Sequence, residues 1–96
     1  MVSELIYWHK TKIQSKYIIE LKIQSVAKTY KYPHGIRYSL VCINSKSQDK
    51  ILFDNHYPKG SHIHICDKEI SYDFVSYDQL IDDFKKLVFD NFGVLI

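Results

Sequence analysis

Apolar and polar residues alternate along Tyr17–Val26. Tyr17, Ile19, Leu21 and Ile23 take one side, and Ile18, Glu20, Lys22 and Gln24 the other. Successive side chains of a strand point to opposite faces, so this period predicts a half-buried strand. A second strand is predicted over Ile36–Ile43. Its run Tyr38-Ser39-Leu40-Val41-Cys42-Ile43 is nearly all apolar, which reads as a central strand covered on both faces. Between them, Pro33 and Gly35 break the chain into a loop. The polar stretch Asn44–Asp49 reads as a hairpin connection to a short third strand, Lys50–Asp54. Pro58 and Gly60 mark the next loop. A fourth strand carries Ser61-His62-Ile63-His64-Ile65-Cys66, Asp67–Glu69 forms a turn, and Ser71–Val75 is a candidate fifth strand. Residues 1–16 read as an N-terminal arm or an edge strand.

The period changes near the end. Leu80, Ile81, Phe84, Leu87 and Val88 recur at helical spacing, with Asp82, Asp83, Lys85 and Lys86 on the other side. Ser76 is a suitable N-cap, Gln79 completes an S-x-x-Q capping box, and Asp78 suits the first turn. Gly93 is a natural stop. The expected architecture is one α+β domain over residues 1–96. It is an antiparallel meander of four or five strands with one C-terminal helix, 76–92, packed on it. Sequential strands with short connections usually pair as neighbours.

Composition supports a folded domain: 46% hydrophobic, 25% charged and 15% aromatic exclude a disordered chain. The start lacks a basic stretch followed by an apolar run, and no segment approaches a membrane span, so a cytoplasmic protein is expected. Cys42 and Cys66 fall in predicted strands without CxxC spacing and read as buried free thiols. A homodimer is compatible with so small a core. Charge is uneven: residues 1–50 carry a net +6 and residues 51–96 a net −4. With Tyr17, Tyr30 and Tyr32 among Lys10, Lys12, Lys16, Lys22, Lys28 and Lys31, the first half has the makings of a nucleic-acid surface. A solvated surface whose halves pair with each other explains the split equally well.

His62 and His64 are the residues that suggest chemistry. At i, i+2 on a strand they share a face, about 6.5–7 Å apart at the backbone. Imidazole titrates nearest neutrality and is also a metal ligand. Adjacent strands can bring Asp54, at the end of the third strand, to a histidine, where it would fix a tautomer. Metal-independent RNA cleavage needs a base for the 2′-hydroxyl and an acid for the 5′-oxygen, and two histidines bracketing the phosphate would supply them. Arg37, the one arginine, or Lys59 could stabilise the extra charge. Tyr57 or Tyr38 could stack a base. Asn55 and His56 lie beside Asp54 and complete the candidate substrate-binding set. The alternatives are a metal site of His62 and His64 with His56 or Asp54, or polar residues on a solvated face. No cofactor is called for, and no complete zinc signature is present. His9 and His34 read as surface residues.

The order His34-Gly35-Ile36-Arg37-Tyr38-Ser39-Leu40-Val41, Phe53-Asp54-Asn55, His62-Ile63-His64, then Tyr72-Asp73-Phe74-Val75-Ser76 with Leu80 and Phe84 of the helix resembles the TumE-type toxin family of bacterial and archaeal toxin–antitoxin modules. The resemblance covers roughly residues 34–90, with 1–33 only a strand-rich lead-in. Many members are richer in His and Gly around the HxH, where this chain has Ile65 and Cys66. The resemblance implies a cytoplasmic toxin held inactive by a DNA-binding helix-turn-helix antitoxin, with Arg37, Tyr38, Asp54, Asn55, His62 and His64 at the matching positions. A ribonuclease-like toxin acting on RNA is the extension of that reading. The alternatives are a non-enzymatic nucleic-acid or ribosome-binding module and a small metal-binding domain.

Overall fold

The computed structural model describes residues 4–96. Six strands form one antiparallel sheet in chain order: β1 (Glu4–Ile13), β2 (Tyr17–Ser25), β3 (Ile36–Asn44), β4 (Lys50–Asp54), β5 (His62–Ile65) and β6 (Lys68–Ser71). Helix α1 (Tyr77–Phe92) closes one face. The α+β meander is as expected, with six strands rather than four or five.

Each difference has a local cause. Residues 4–13 form an edge strand through a turn in which Gln14 and Ser15 both take positive φ, and Lys16 N–H donates back to the Ile13 carbonyl. Neither is the Gly or Asn that usually announces such a turn. Similarly, Cys66 has φ +54 in the turn between β5 and β6. Cys66 is therefore exposed at a turn rather than buried in a strand, while Cys42 is fully buried. Burial pushes the Cys42 thiol up to about 11, which leaves it unreactive. The expected turn at Asp67–Glu69 is mostly strand, Lys68–Ser71, and the expected strand over 71–75 ends at Ser71. Beyond it, Tyr72 and Phe74 pack against the core from irregular backbone.

The helix packs against β3 and β4. Leu80, Phe84 and Val88 are buried against Leu40, Cys42, Ile51, Phe53 and the apolar side of β2. Phe53 meets the rings of Phe84 and Tyr72 edge-on, at 5.6 and 5.2 Å between centroids. Ser76 caps the helix by accepting the Gln79 N–H. The second half of the expected capping box is absent: the Gln79 amide turns to Asp83 instead. Asp83, expected to face away, also accepts the Tyr72 hydroxyl at 2.6 Å. Gly93, at φ +69, stops the helix and returns its N–H to the Phe89 carbonyl.

Among the described residues, no helix lies on the opposite face of the sheet. β3 is thus covered on one side only: Tyr38, Leu40 and Cys42 are buried, whereas Arg37 and Ser39 are exposed. Val41 on that open face is only partly buried, and its register neighbours are Glu20 and Leu52. Among the described residues, no helix is long and apolar enough to cross a membrane.

Phe84 has no exposed surface and anchors the helix on β4. Phe84→Ala should cost ~3–5 kcal/mol through lost burial and the cavity left behind. Urea unfolding checks this, and a loss below about 1 kcal/mol would show that the helix does not depend on this contact.

Candidate functional site on the open face

Register alone assembles the site. Reading across all six strands, Trp8, Lys22, Ser39, Asp54, His62 and Ser71 form one row of the open face. Lys10, Glu20, Val41, Leu52, His64 and Glu69 form the next. The alternation that sends Ile63 into the core puts both histidines here. Ile63 is 5% exposed, paired with Phe53 on one side and Ile70 on the other.

His62 is itself nearly buried, at 7% exposure. Its Nδ1 lies 2.8 Å from the Gly60 carbonyl, and its Nε2 lies 3.2 Å from Asp54 Oδ1 and 3.8 Å from Glu69 Oε1. A carbonyl can only accept, so Nδ1 carries the hydrogen in that bond. The His64 ring meets that of His62 edge-on with centroids 4.8 Å apart, and its Nε2 is 3.7 Å from Glu69 Oε1. His64 is the more accessible of the two, its side chain 28% exposed. Lys59 reaches the same Glu69 oxygen at 2.8 Å. That ammonium, with smaller help from His64 and His62, holds the Glu69 carboxyl below its usual range. Nitrogen or oxygen ligand atoms from His62, His64 and Glu69 all lie within 4.8 Å of one another.

Asp54 therefore does reach a histidine, and its Oδ1 is held in place by the His56 N–H at 3.3 Å. Glu69 had no part in the expected site. The signal was present in the alternation of Glu69 and Ser71 opposite His64 and His62. It stayed hidden because the β5–β6 turn uses Cys66 in a conformation that sequence does not announce.

The other candidates scatter. Arg37 lies on the open face, one row beyond Asp54, and donates to His56 Nδ1 at 2.9 Å. That contact takes His56 away from the His62–His64 pair, so it is no third ligand beside them. Tyr57 meets Tyr30 edge-on at 5.9 Å, with Lys31 Nζ 5.3 Å from its ring centroid, and makes an exposed aromatic–basic platform beside the loop. Asn55 is a structural clamp: its side chain accepts the Tyr38 N–H and donates to the Ile36 carbonyl. Tyr38 faces the helix side, 2% exposed and stacked on Phe74, away from the histidines. Burial pushes its hydroxyl up to about 12, with the neighbouring Asp54 charge adding and Ser61 offsetting a part. No hydrogen bond is completed, and the hydroxyl is buried without a partner. The lysines of the first half also divide. Lys10, Lys12 and Lys22 share the open face, while Lys28 and Lys31 belong to the β2–β3 loop. Tyr17 is in the core, stacked on Phe92.

A cleft of about 250 Å³ lies on the other side of the β4–β5 loop, lined by Tyr32, His34, Asn55, Ser61, Tyr72 and Phe74. His34 is exposed, as expected, and its ring lies 5.2 Å from that of Phe74.

Comparison with known proteins places the chain against one family description, Toxin TumE, which matches residues 6–90. The match includes β1 and β2, well beyond residues 34–90 that first suggested it. No curated protein and no solved structure gives a significant match.

Removing the partnerless hydroxyl tests the division between the two faces. Tyr38→Phe should fold at least as stably as the native chain, gaining up to about 1–3 kcal/mol. It should also flatten the alkaline limb of the stability profile. Tyr38 favours its protonated form in the fold, so its contribution is complete below about pH 10 and fades as pH rises towards 12. Urea titrations at several pH values read both effects, and a clear loss of stability at neutral pH would mean that the hydroxyl has a partner after all.

Proposed function

The chain belongs to the TumE toxin family, and from that premise we propose that it is a ribonuclease-like toxin whose working site is the cluster of His62, His64, Asp54 and Glu69. As a family member it is the toxin component of a toxin–antitoxin system, with an antitoxin as its partner. The proposal extends this to RNA as the target and to a DNA-binding helix-turn-helix antitoxin.

One observation carries the reading: two histidines and two carboxylates converge on an otherwise solvent-facing sheet. A solvated strand face gains nothing by burying an imidazole against acids, because burying polar groups costs free energy unless their partners compensate. The surroundings suit a polyanion. Arg37 and Lys22 share the face, and Lys59 stands at the rim. Tyr57 and Tyr30 offer ring faces for an unpaired base, a contact worth about 1–3 kcal/mol.

In the metal-independent form of this reading, His62 and His64 are the base and acid, and Asp54 positions His62. The rings touch edge-on at 4.8 Å, so a phosphate cannot enter between them as they stand. It has to approach from the His64 side, which makes His64 the group that meets the substrate. His62, held between Gly60 and Asp54, is the inner of the two proton-exchanging groups.

Induction of the native chain without its antitoxin should stop growth and fragment cellular RNA. His64→Ala, expressed to the same soluble level, should do neither. Growth arrest with intact RNA would leave the toxin and remove the ribonuclease. Arrest that survives His64→Ala but disappears with Lys22→Glu would move the function to binding by the basic face. Binding of that kind weakens steeply with salt.

A further inference from the structure

We propose that His62, His64 and Glu69, with Asp54 beside them, form a site for one divalent first-row transition ion of the zinc class. The inference rests on the same cluster being the working site, and it adds the ion on which that site is built.

The argument starts from the hydrogen on His62. Nδ1 donates to the Gly60 carbonyl, so a neutral ring carries its lone pair on Nε2. Nε2 stands 3.2 Å from Asp54 Oδ1 and 3.8 Å from Glu69 Oε1, where a ring N–H would donate to Asp54 and a bound ion would displace that hydrogen. His64 Nε2 approaches the same Glu69 oxygen at 3.7 Å. Ligand atoms of His62, His64 and Glu69 therefore lie within 4.8 Å of one another, with Asp54 against His62 at the edge of the group, and such a cluster favours a positive charge among its members. A histidine whose other ring nitrogen is tied to a backbone carbonyl is the usual arrangement of a metal ligand, because the bond fixes both tautomer and ring plane.

The distances agree. Ligands at 2.0–2.2 Å from a tetrahedral zinc lie about 3.3 Å from one another. The pairs at 3.7 and 3.8 Å need a few tenths of an ångström of closure, and the histidine pair, within 4.8 Å, up to roughly an ångström more, which the half-exposed Glu69 and the more accessible His64 side chain would supply. Two imidazoles and a carboxylate suit zinc-class ions, whereas magnesium and calcium prefer oxygen donors throughout. Three ligands leave one position of a tetrahedral ion for water or a phosphoryl oxygen, which the ion would polarise.

Lys59 is the competitor. Its ammonium now holds Glu69 Oε1 at 2.8 Å, and at 60% exposure its side chain is free to swing away. The ion and Lys59 compete for one oxygen. This gives the inference a signature that a merely structural cluster lacks: removing Lys59 should tighten metal binding.

The test is calorimetric titration of the full chain, freed of metal by dialysis against chelator and then buffer, with Zn²⁺, and with Co²⁺ as a visible-spectrum probe. One equivalent should bind, with a spectrum of nitrogen and oxygen ligation. His64→Ala and Glu69→Gln should each weaken binding by about tenfold or more, and Lys59→Ala should strengthen it. Circular dichroism confirms that each variant is folded, and both replaced ligands are exposed enough to be tolerated. Absence of one-equivalent binding, or binding indifferent to both ligand variants, overturns the metal site. That failure differs from failure of the toxin reading. A chain that binds no metal yet stops growth and loses this with His64→Ala keeps the working site and returns it to metal-independent chemistry.

Discussion

Phe53 fixes the register on which the open face depends. It is fully buried, clasped by Phe84 of the helix and Tyr72 of the segment before it, and paired with Leu40 and Ile63 across its own strand. Strand side chains alternate, so a slip of one residue would exchange the two faces of β4 against its neighbours. Phe53 and Ile63 cannot be moved to water without losing about 1.5–3 kcal/mol each. With Phe53 opposite Ile63, Asp54 must lie opposite His62. The apolar side therefore positions the polar side, although the two never touch.

The loop between β4 and β5 finishes what register begins. Asn55 bonds the backbone of β3 at Ile36 and Tyr38 and so anchors the start of the loop. Gly60, at φ +76, turns the end so that its carbonyl meets His62 Nδ1. A non-glycine residue adopts that backbone conformation only with strain. The loop also delivers Lys59 to Glu69, so one short segment sets the tautomer of one histidine and the counter-charge of the cluster. The site is thus rigid at His62 and adjustable at its rim, where Lys59 and Glu69 are solvated.

The uneven charge along the chain takes its meaning from the fold. The basic first half supplies Lys10, Lys12 and Lys22 to the open face, and the rows of Lys22 and Lys10 run into the Asp54–His62 and His64–Glu69 pairs. Part of that charge is internally answered: Glu20 lies opposite Lys10 and accepts the Trp8 indole N–H at 2.9 Å. Much of the acidic half is on the helix, behind the sheet, at Asp78, Asp82, Asp83 and Asp90.

Periodicity by itself determined β2, β3, β4 and the helix with its caps at Ser76 and Gly93, because burial on one face writes a regular pattern into any sequence. It also determined that His62 and His64 share a face, since that follows from strand geometry without any partner. The short pieces escaped it. β6 is only Lys68–Ser71, too short to show a period, and the turns at Gln14–Ser15 and Cys66 carry none of the residues that favour positive φ. The sequence could not separate Tyr38 and Asn55, which pack and clamp, from Asp54, which meets the histidine, because adjacent residues on a strand look alike until their faces are known. Three contacts are written in no local pattern: Glu69 with the histidines, Arg37 with His56, and the Gly60 carbonyl with His62 Nδ1. Each of those contacts joins residues on separate strands or loops, and register and loop path, rather than local pattern, bring them together.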